Sequence, residues 1–322
     1  MAATALFGPV VQDLSEVEEV IAEASQVDYP VLASLLEHIL RKPGKRLRPA
    51  LVLLSAGFHD YQLPRLKYLA AAIELLHTAT LVHDDLIDNA ATRRGAPTLH
   101  SLVDGRATVL VGDYLFAKAA ALCAKAENVR VMKAFSDALM SICDGELRQI
   151  FGSGNWRLSR DEYYRRITSK TASLFRTATE TGAILSGAPE PVVAALREYG
   201  LSLGLAFQIV DDVLDFVGDE QKMGKPVGSD LRQGIVTLPT IWLLENRPRD
   251  PTIRQVFEAD GDAEEAVRQA MQAILHSPAI DFAVAAARSF CEDAKAAVSG
   301  LPDSPYRQTL LDLADYVLDR HS

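Results

Sequence analysis

A chain of 322 residues with 48% hydrophobic content carries enough apolar side chain to bury a large core, and its length permits one or two domains. The formal net charge of −10 argues against a nucleic-acid scaffold, which needs a broad basic face, but leaves room for a local anionic-ligand site where lysines and arginines cluster. Cys123, Cys143 and Cys291 are odd in number and lack metal-ligand spacing, which points to a reducing cytoplasm and no disulfide framework.

The N-terminal "MAATALFGPVVQDLSEVEE" lacks a basic region and soon turns acidic, unlike a signal peptide. No uncharged apolar run approaches the ~18–20 residues that span a bilayer, so a soluble protein is expected. Helical periodicity dominates from there on, and strand alternation is nearly absent. "ASLLEHILRKPGKRLRP" reads as a helix broken at Pro43-Gly44, and residues 63–88 as one long helix whose polar positions include Glu74, His77, Asp84 and Asp88. Ser159 with Glu162 predicts a capping box, and Ser277-Pro278 and Ser304-Pro305 predict two further helix starts. The run from Pro189 predicts a long apolar helix ending near Gly218, followed by an irregular Gly/Pro-rich segment over 222–239, long enough to suggest function. With no linker, repeat or low-complexity tract, the expectation is one all-α domain over 1–322, its long central helices surrounding a cavity and residues 1–27 peripheral.

Two carboxylate clusters stand out. Asp84, Asp85 and Asp88 form D-D-x-x-D, in which Asp84 and Asp88 share a helix face one turn apart. The acids follow an apolar helix, where the macrodipole is unfavourable to them. Asp211, Asp212 and Asp215 repeat the arrangement at the end of a second apolar helix. Facing each other across a cavity, the clusters would hold hard divalent cations through oxygen. Magnesium fits best, because it takes one or two carboxylates and completes its shell with water and substrate phosphate. The acids lack the order of an EF-hand loop, and no cysteine or histidine pair has zinc spacing.

Basic residues supply the phosphate half. Lys45, Arg46 and Arg48 surround the first helix break, Arg93 and Arg94 follow the first acid cluster, Lys170 sits in "SKTASLF", and Lys222 and Lys225 lie in the irregular segment after the second cluster. Singly, each is a surface charge. Together they favour a site for a diphosphate and its metal, with arginine offering bidentate contacts.

In order along the chain, "GKRLRP", "HTATLVHDDLIDNAATRRG", "GDYLFAKA", "KTASLF", "FQIVDDVLD", "GKPVGSDL" and "VTLP" resemble the trans-isoprenyl diphosphate synthases, specifically the polyprenyl synthases. The resemblance runs from about residue 40 to the C-terminus. It implies the all-α isoprenoid synthase fold and a magnesium-dependent head-to-tail condensation of isopentenyl diphosphate with an allylic diphosphate, using two or three ions. On this resemblance Asp84, Asp88 and Asp211 would ligate the metal, with Asp85, Asp212 and Asp215 in support. Lys45, Arg48, His77 and Arg94 would hold isopentenyl diphosphate. Arg93, Lys170 and Lys225 would hold the allylic diphosphate, while Thr171 and Gln208 would line the reacting carbons. Two departures are visible: Pro43-Gly44 replaces a pair of glycines, and Ile235 stands where many relatives carry lysine, which puts a distal phosphate contact there in doubt.

Family pattern also places chain-length control at Ala79 and Thr80, where short-chain members carry an aromatic; helical geometry puts Thr80 within about 40° of Asp84 and Ala79 further round. Two small residues there imply a product beyond C20, with a farnesyl or geranylgeranyl diphosphate synthase as the alternative. The same small residues would also suit close helix packing. A class I terpene cyclase would need no isopentenyl site, and a regulatory subunit would show eroded acid clusters, whereas both clusters are complete. The resemblance further implies a homodimer, with a heteromer open and "GDYLFAKAAALCAKA" a contact candidate. The net charge and the lack of a long uncharged apolar run leave the expectation of no nucleic acid and no membrane span, with peripheral membrane contact for product release as a hypothesis.

Overall fold

Almost every regular element is a helix, as the apolar periodicity predicts. The computed structural model describes residues 6–41, 44–93, 95–218, 227–258 and 263–320. In chain order the elements are α1 (Asp13–Glu23), α2 (Pro30–Leu40), α3 (Leu47–Ala56), α4 (Leu63–Ile87), β1 (Thr92–Arg93), β2 (Ala96–Pro97), α5 (Leu99–Leu102), α6 (Gly105–Ala124) and α7 (Val129–Gly152). There follow α8 (Arg160–Ile167), a π-turn (Thr168–Ala172), α9 (Ser173–Leu185), α10 (Glu190–Val217), α11 (Ser229–Arg232) and α12 (Leu238–Asn246). The chain ends with α13 (Thr252–Glu258), α14 (Ala263–Leu275), α15 (Ala279–Val298) and α16 (Pro305–Asp319).

The start signals work as their chemistry requires. Ser159 accepts from the Glu162 amide while the Glu162 side chain accepts from the Ser159 amide, closing the capping box at the head of α8. At α16 the Ser304 hydroxyl accepts from the Arg307 amide at 3.2 Å. Ser277 does the same for Ala279 at 3.2 Å, one residue later than Ser277-Pro278 alone predicts.

The chain divides into two units. The first comprises Met1–Leu139, Leu174–Gly200 and Ala297–Leu313. Its spine is α4, where Leu69 to Leu76 form a continuous buried run, apolar except for Glu74, because α1, α3 and α6 all pack on it. The expectation that residues 1–27 are peripheral gives way here: Phe7, Val10, Val17 and Ile21 are buried, and α1 lies along α4. By length and hydropathy α6 could cross a membrane, yet Val111, Leu115, Ala119, Leu122 and Cys123 form a buried face and the helix packs along α4.

The second unit comprises Met140–Ser173, Leu201–Ala296 and Ala314–Ser322. Its core joins Phe216 near the end of α10 to Leu231, Leu243, Ile253, Val267 and Ile274 of the following helices. Of the segment expected to be irregular over 222–239, residues 229–232 form α11 and α12 starts at Leu238; 222–226 lie outside the described residues.

Candidate active site

In the first unit the acid cluster closes α4. Asp88 is the C-cap, and its amide donates to the Asp84 carbonyl at 2.8 Å. Asp84 is half-buried and Asp88 exposed, one turn apart as the spacing predicts. Asp85 points elsewhere. It is buried, and Arg93 Nε donates to its Oδ1 at 2.6 Å. Burial pushes the Asp85 carboxyl up from the ordinary carboxylate value, against the opposing charge and hydrogen bond of Arg93.

Arg93 is held by a hairpin invisible to the sequence reading. Strands β1 and β2 pair antiparallel, Thr92 with Pro97 and Arg93 with Ala96. Two-residue strands are too short to show alternation; the available signal was Gly95, whose φ of +74° suits a tight turn. The Thr98 hydroxyl donates to the Ala90 carbonyl at 2.6 Å and ties the hairpin base to the end of α4.

The basic turn before α3 separates its charges. Lys45 is exposed, and the Arg48 guanidinium lies 4.6 Å over the Phe175 ring. Arg46, grouped with them by sequence, turns instead to two carboxylates. It pairs with Glu18 on α1 and, at 2.9 Å, with Glu74 on α4. Burial disfavours its charge, but the hydrogen bonds and charges of Glu18 and Glu74 prevail and hold its pKa above the ordinary arginine value. Arg46, Glu74, His77, Asp85 and Arg93 line one cavity of about 110 Å³. Further along α4, Ala79 is fully buried, while the half-buried Thr80 donates its hydroxyl to the His77 carbonyl at 2.7 Å.

In the second unit the three acids of α10 have three different jobs. Asp212 is buried; Tyr163 donates to its Oδ2 at 2.7 Å and Gln208 to its Oδ1 at 2.8 Å. Thr171 in turn donates to Gln208 Oε1 at 2.6 Å, so Thr171, Gln208, Asp212 and Tyr163 form one chain of hydrogen bonds. Burial pushes the Asp212 carboxyl up to about 6, and the Tyr163 and Gln208 hydrogen bonds limit the rise. Asp215 is fully buried and accepts from the Asp230 amide at 3.0 Å, which fastens α11 to the end of α10. Asp211 is half-buried and pairs at 2.7 Å with Arg320, whose guanidinium lies 4.3 Å over Phe207.

Lys170 and Thr171 sit on the π-turn, a local widening of the helix of the kind that marks functional sites. Lys170 pairs with Glu146 of α7. Sequence reading missed Tyr163, Glu146 and Arg320, each of which meets its partner from a distant part of the chain. At the departure noted above, the Ile235 amide donates to the Asp230 carbonyl at 2.8 Å. Arg94, Lys222 and Lys225 lie outside the described residues.

Among the described residues no group of three or more His, Cys, Asp or Glu side chains is placed to hold a metal ion. The donors that each cluster offers are carboxylate oxygens, Asp84 and Asp88 on one helix end and Asp211 on the other, none of them fully buried. That donor chemistry fits a hard cation that takes one or two carboxylates and its remaining oxygens from water and phosphate.

Residues 29–274 match the family model described as polyprenyl synthetase. The chain belongs to this family. It is 39% identical to heptaprenyl diphosphate synthase component 2 of Geobacillus stearothermophilus over 98% of each chain. Among solved structures, the polyprenyl synthase of Caulobacter crescentus, complexed with calcium and isoprenyl diphosphate, aligns with a TM-score of 0.92 at 35% identity, covering 97% of this chain and 96% of that one. A decaprenyl diphosphate synthase of Rhodobacter capsulatus aligns with a TM-score of 0.90 at 38% identity over 97% of each. Membership gives the helices their fold: the all-α isoprenoid synthase architecture expected from the motifs.

Proposed function

We propose that this chain is a prenyltransferase that condenses isopentenyl diphosphate with an allylic diphosphate to make a polyprenyl diphosphate longer than C20. The observation that carries the reading is the pair of complete carboxylate clusters, Asp84–Asp88 and Asp211–Asp215, in a chain similar end to end to a heptaprenyl synthase component.

Asp84, Asp88 and Asp211 are the metal-holding carboxylates of this reading. Asp85 and Asp212, each buried and hydrogen-bonded, orient their surroundings, and Asp215 fixes the α10–α11 junction. Magnesium, in two or three ions, supplies charge neutralisation that turns the allylic diphosphate into a leaving group. Lys45, Arg48, His77 and Arg94 hold isopentenyl diphosphate; Arg93, Lys170 and Lys225 hold the allylic diphosphate. For Arg93 and Lys170 this means sharing or exchanging the carboxylates of Asp85 and Glu146. Thr171 and Gln208, joined by their hydrogen bond, line the reacting carbons with hydroxyl and amide dipoles. The allylic carbon–oxygen bond breaks, the isopentenyl double bond attacks the resulting cation, and a proton leaves to the departing diphosphate.

A homodimer in the cytoplasm completes the proposal. Exposed Val109 and Leu110 on α6 support a contact surface on that helix, and the name of the Geobacillus relative, a component, supports the alternative of a second, different subunit. The three free cysteines suit a reducing compartment. Peripheral membrane contact would assist release of so apolar a product; turnover indifferent to vesicles would remove that element.

The test supplies radiolabelled isopentenyl diphosphate, farnesyl diphosphate and magnesium, and sizes the product against chain-length standards. Incorporation into material beyond C20 is expected. No incorporation refutes the activity, and a C15 or C20 end product refutes the length. Asp84→Ala and Asp211→Ala should each cost orders of magnitude in rate and leave the circular dichroism of the helices intact.

A further inference from the structure

Sequence places Arg46 between Lys45 and Arg48 as a third phosphate-binding cation. Its surroundings deny it that role. The guanidinium is only 11% exposed and forks onto Glu18, with Nη2 donating to Oε2 at 2.8 Å and Nε donating to Oε1. Its remaining arm, Nη1, donates to Glu74 Oε1 at 2.9 Å, and the Glu74 side chain is itself 7% exposed. One cation between two carboxylates leaves a net negative cluster, which repels a diphosphate. To reach phosphate, Arg46 would also have to strand a buried carboxylate on α4, a costly state.

The backbone tells the same story. Arg46 has φ 51° and ψ 29°, the left-handed region that a non-glycine residue keeps only when its surroundings hold it. At this position it caps α3, accepting from the Ala50 amide at 3.1 Å, and among the described residues no side chain caps that helix end. The two ion pairs are what hold it. Glu74 lies one turn before His77 on α4, and the Thr78 hydroxyl donates to the Glu74 carbonyl at 2.8 Å. A single buried guanidinium therefore fixes the turn that presents Lys45 and Arg48 to the helix that presents His77, with α1 as the second anchor.

We infer that Arg46 is a positioning residue for isopentenyl diphosphate, acting through Glu18 and Glu74 to set Lys45 and Arg48 in register with His77. The inference rests on the assignment of those three residues to that substrate. It also gives α1 a function, since Glu18 is its contribution to the site. Lysine cannot replace Arg46, because an ammonium lacks the planar fork that spans both carboxylates.

The experiment measures KM for both diphosphates, kcat and the thermal midpoint in the wild type and in Glu74→Gln, Glu18→Gln, Arg46→Lys and Lys45→Ala. Glu74→Gln and Arg46→Lys should raise KM for isopentenyl diphosphate about tenfold, with KM for the allylic substrate changed less than about twofold. Glu18→Gln, at a half-exposed carboxylate, should move the same constant in the same direction without unfolding the chain, and serves if the buried variants fail to fold. A direct phosphate contact predicts the reverse, because Glu74→Gln would free Arg46 and lower that KM. A KM unchanged in Glu74→Gln and Glu18→Gln but raised in Lys45→Ala overturns the positioning role alone. A KM unchanged in Lys45→Ala as well overturns the substrate assignment beneath it. Both KM values rising together with a fallen midpoint reduce Arg46 to scaffold and also overturn the inference.

Discussion

Tyr163 donates its phenol hydroxyl to Oδ2 of Asp212 at 2.7 Å, and both side chains are buried. A carboxylate so placed needs its donors, because burial, the largest influence on it, lifts its pKa from 3.8 to about 6 even with Tyr163 and Gln208 attached. A raised carboxyl pKa means that the folded chain binds a proton more tightly than the unfolded one, so ionised Asp212 costs stability as pH rises from 3.8 to about 6. Tyr163→Phe removes one donor and raises that pKa further. With Asp212 ionised the lost bond is charge-assisted, worth about 1.5–3 kcal/mol; with Asp212 protonated it is a neutral one, worth about 0.5–1.5 kcal/mol. Urea unfolding of metal-free protein should therefore show a larger loss near pH ~8 than near pH ~5. Equal losses at the two pH values would show that Asp212 is not the group that Tyr163 serves.

Gly145 lies on α7 directly beneath the π-turn. A methyl group there would stand 2.7 Å from the Lys170 amide nitrogen and 3.0 Å from its Cα. Alanine gains about 1 kcal/mol over glycine in a helix interior, but here its neighbours are backbone atoms that cannot swing aside. Overpacking of this kind costs about 1–3 kcal/mol, so the clash wins or balances. The turn carrying Lys170 and Thr171 has to move. Gly145→Ala should therefore raise KM for the allylic diphosphate and leave KM for isopentenyl diphosphate near wild type. The converse pattern would place Lys170 at the other substrate.

Periodicity found α4 and α10 almost to the residue, because a long run of apolar positions at helical spacing is a strong local signal. It also put Asp84 and Asp88 on one face. It could not distinguish the three acids of the second cluster, since burial of Asp212 and Asp215 depends on Tyr163 and on the Asp230 amide, which arrive from other parts of the chain. The same limit hid the Arg46 ion pairs. Lys45, Arg46 and Arg48 look alike in sequence, and only the positions of Glu18 and Glu74 separate them. The π-turn at Lys170 and the β1–β2 hairpin at Arg93 left no periodic trace because neither is long enough for its period to recur. The motif resemblance supplied the function where periodicity was silent, through the order of its blocks.

Ala79 and Thr80 make opposite claims on the growing product. Thr80 shares the Asp84 side of α4 to within about 40°, but its hydroxyl is turned back onto the His77 carbonyl. Ala79 is fully buried, between Leu75 and Leu76 one turn before it and Val82 after. A packed interior position resists a larger side chain, so Ala79→Phe should lower stability by about 1–3 kcal/mol wherever the tail runs. Product length is the reading that discriminates. If the prenyl tail descends past Ala79, the phenyl ring occupies its path, and product sized against chain-length standards becomes shorter than wild type. If Ala79 serves only helix packing, the thermal midpoint falls and the length stays. The expected outcome is the shorter product, because the family pattern places chain-length control at Ala79, where a phenyl ring would replace a methyl group. Thr80→Phe is the control. Shortening there with none at Ala79→Phe would move the tail to the Asp84 side of α4.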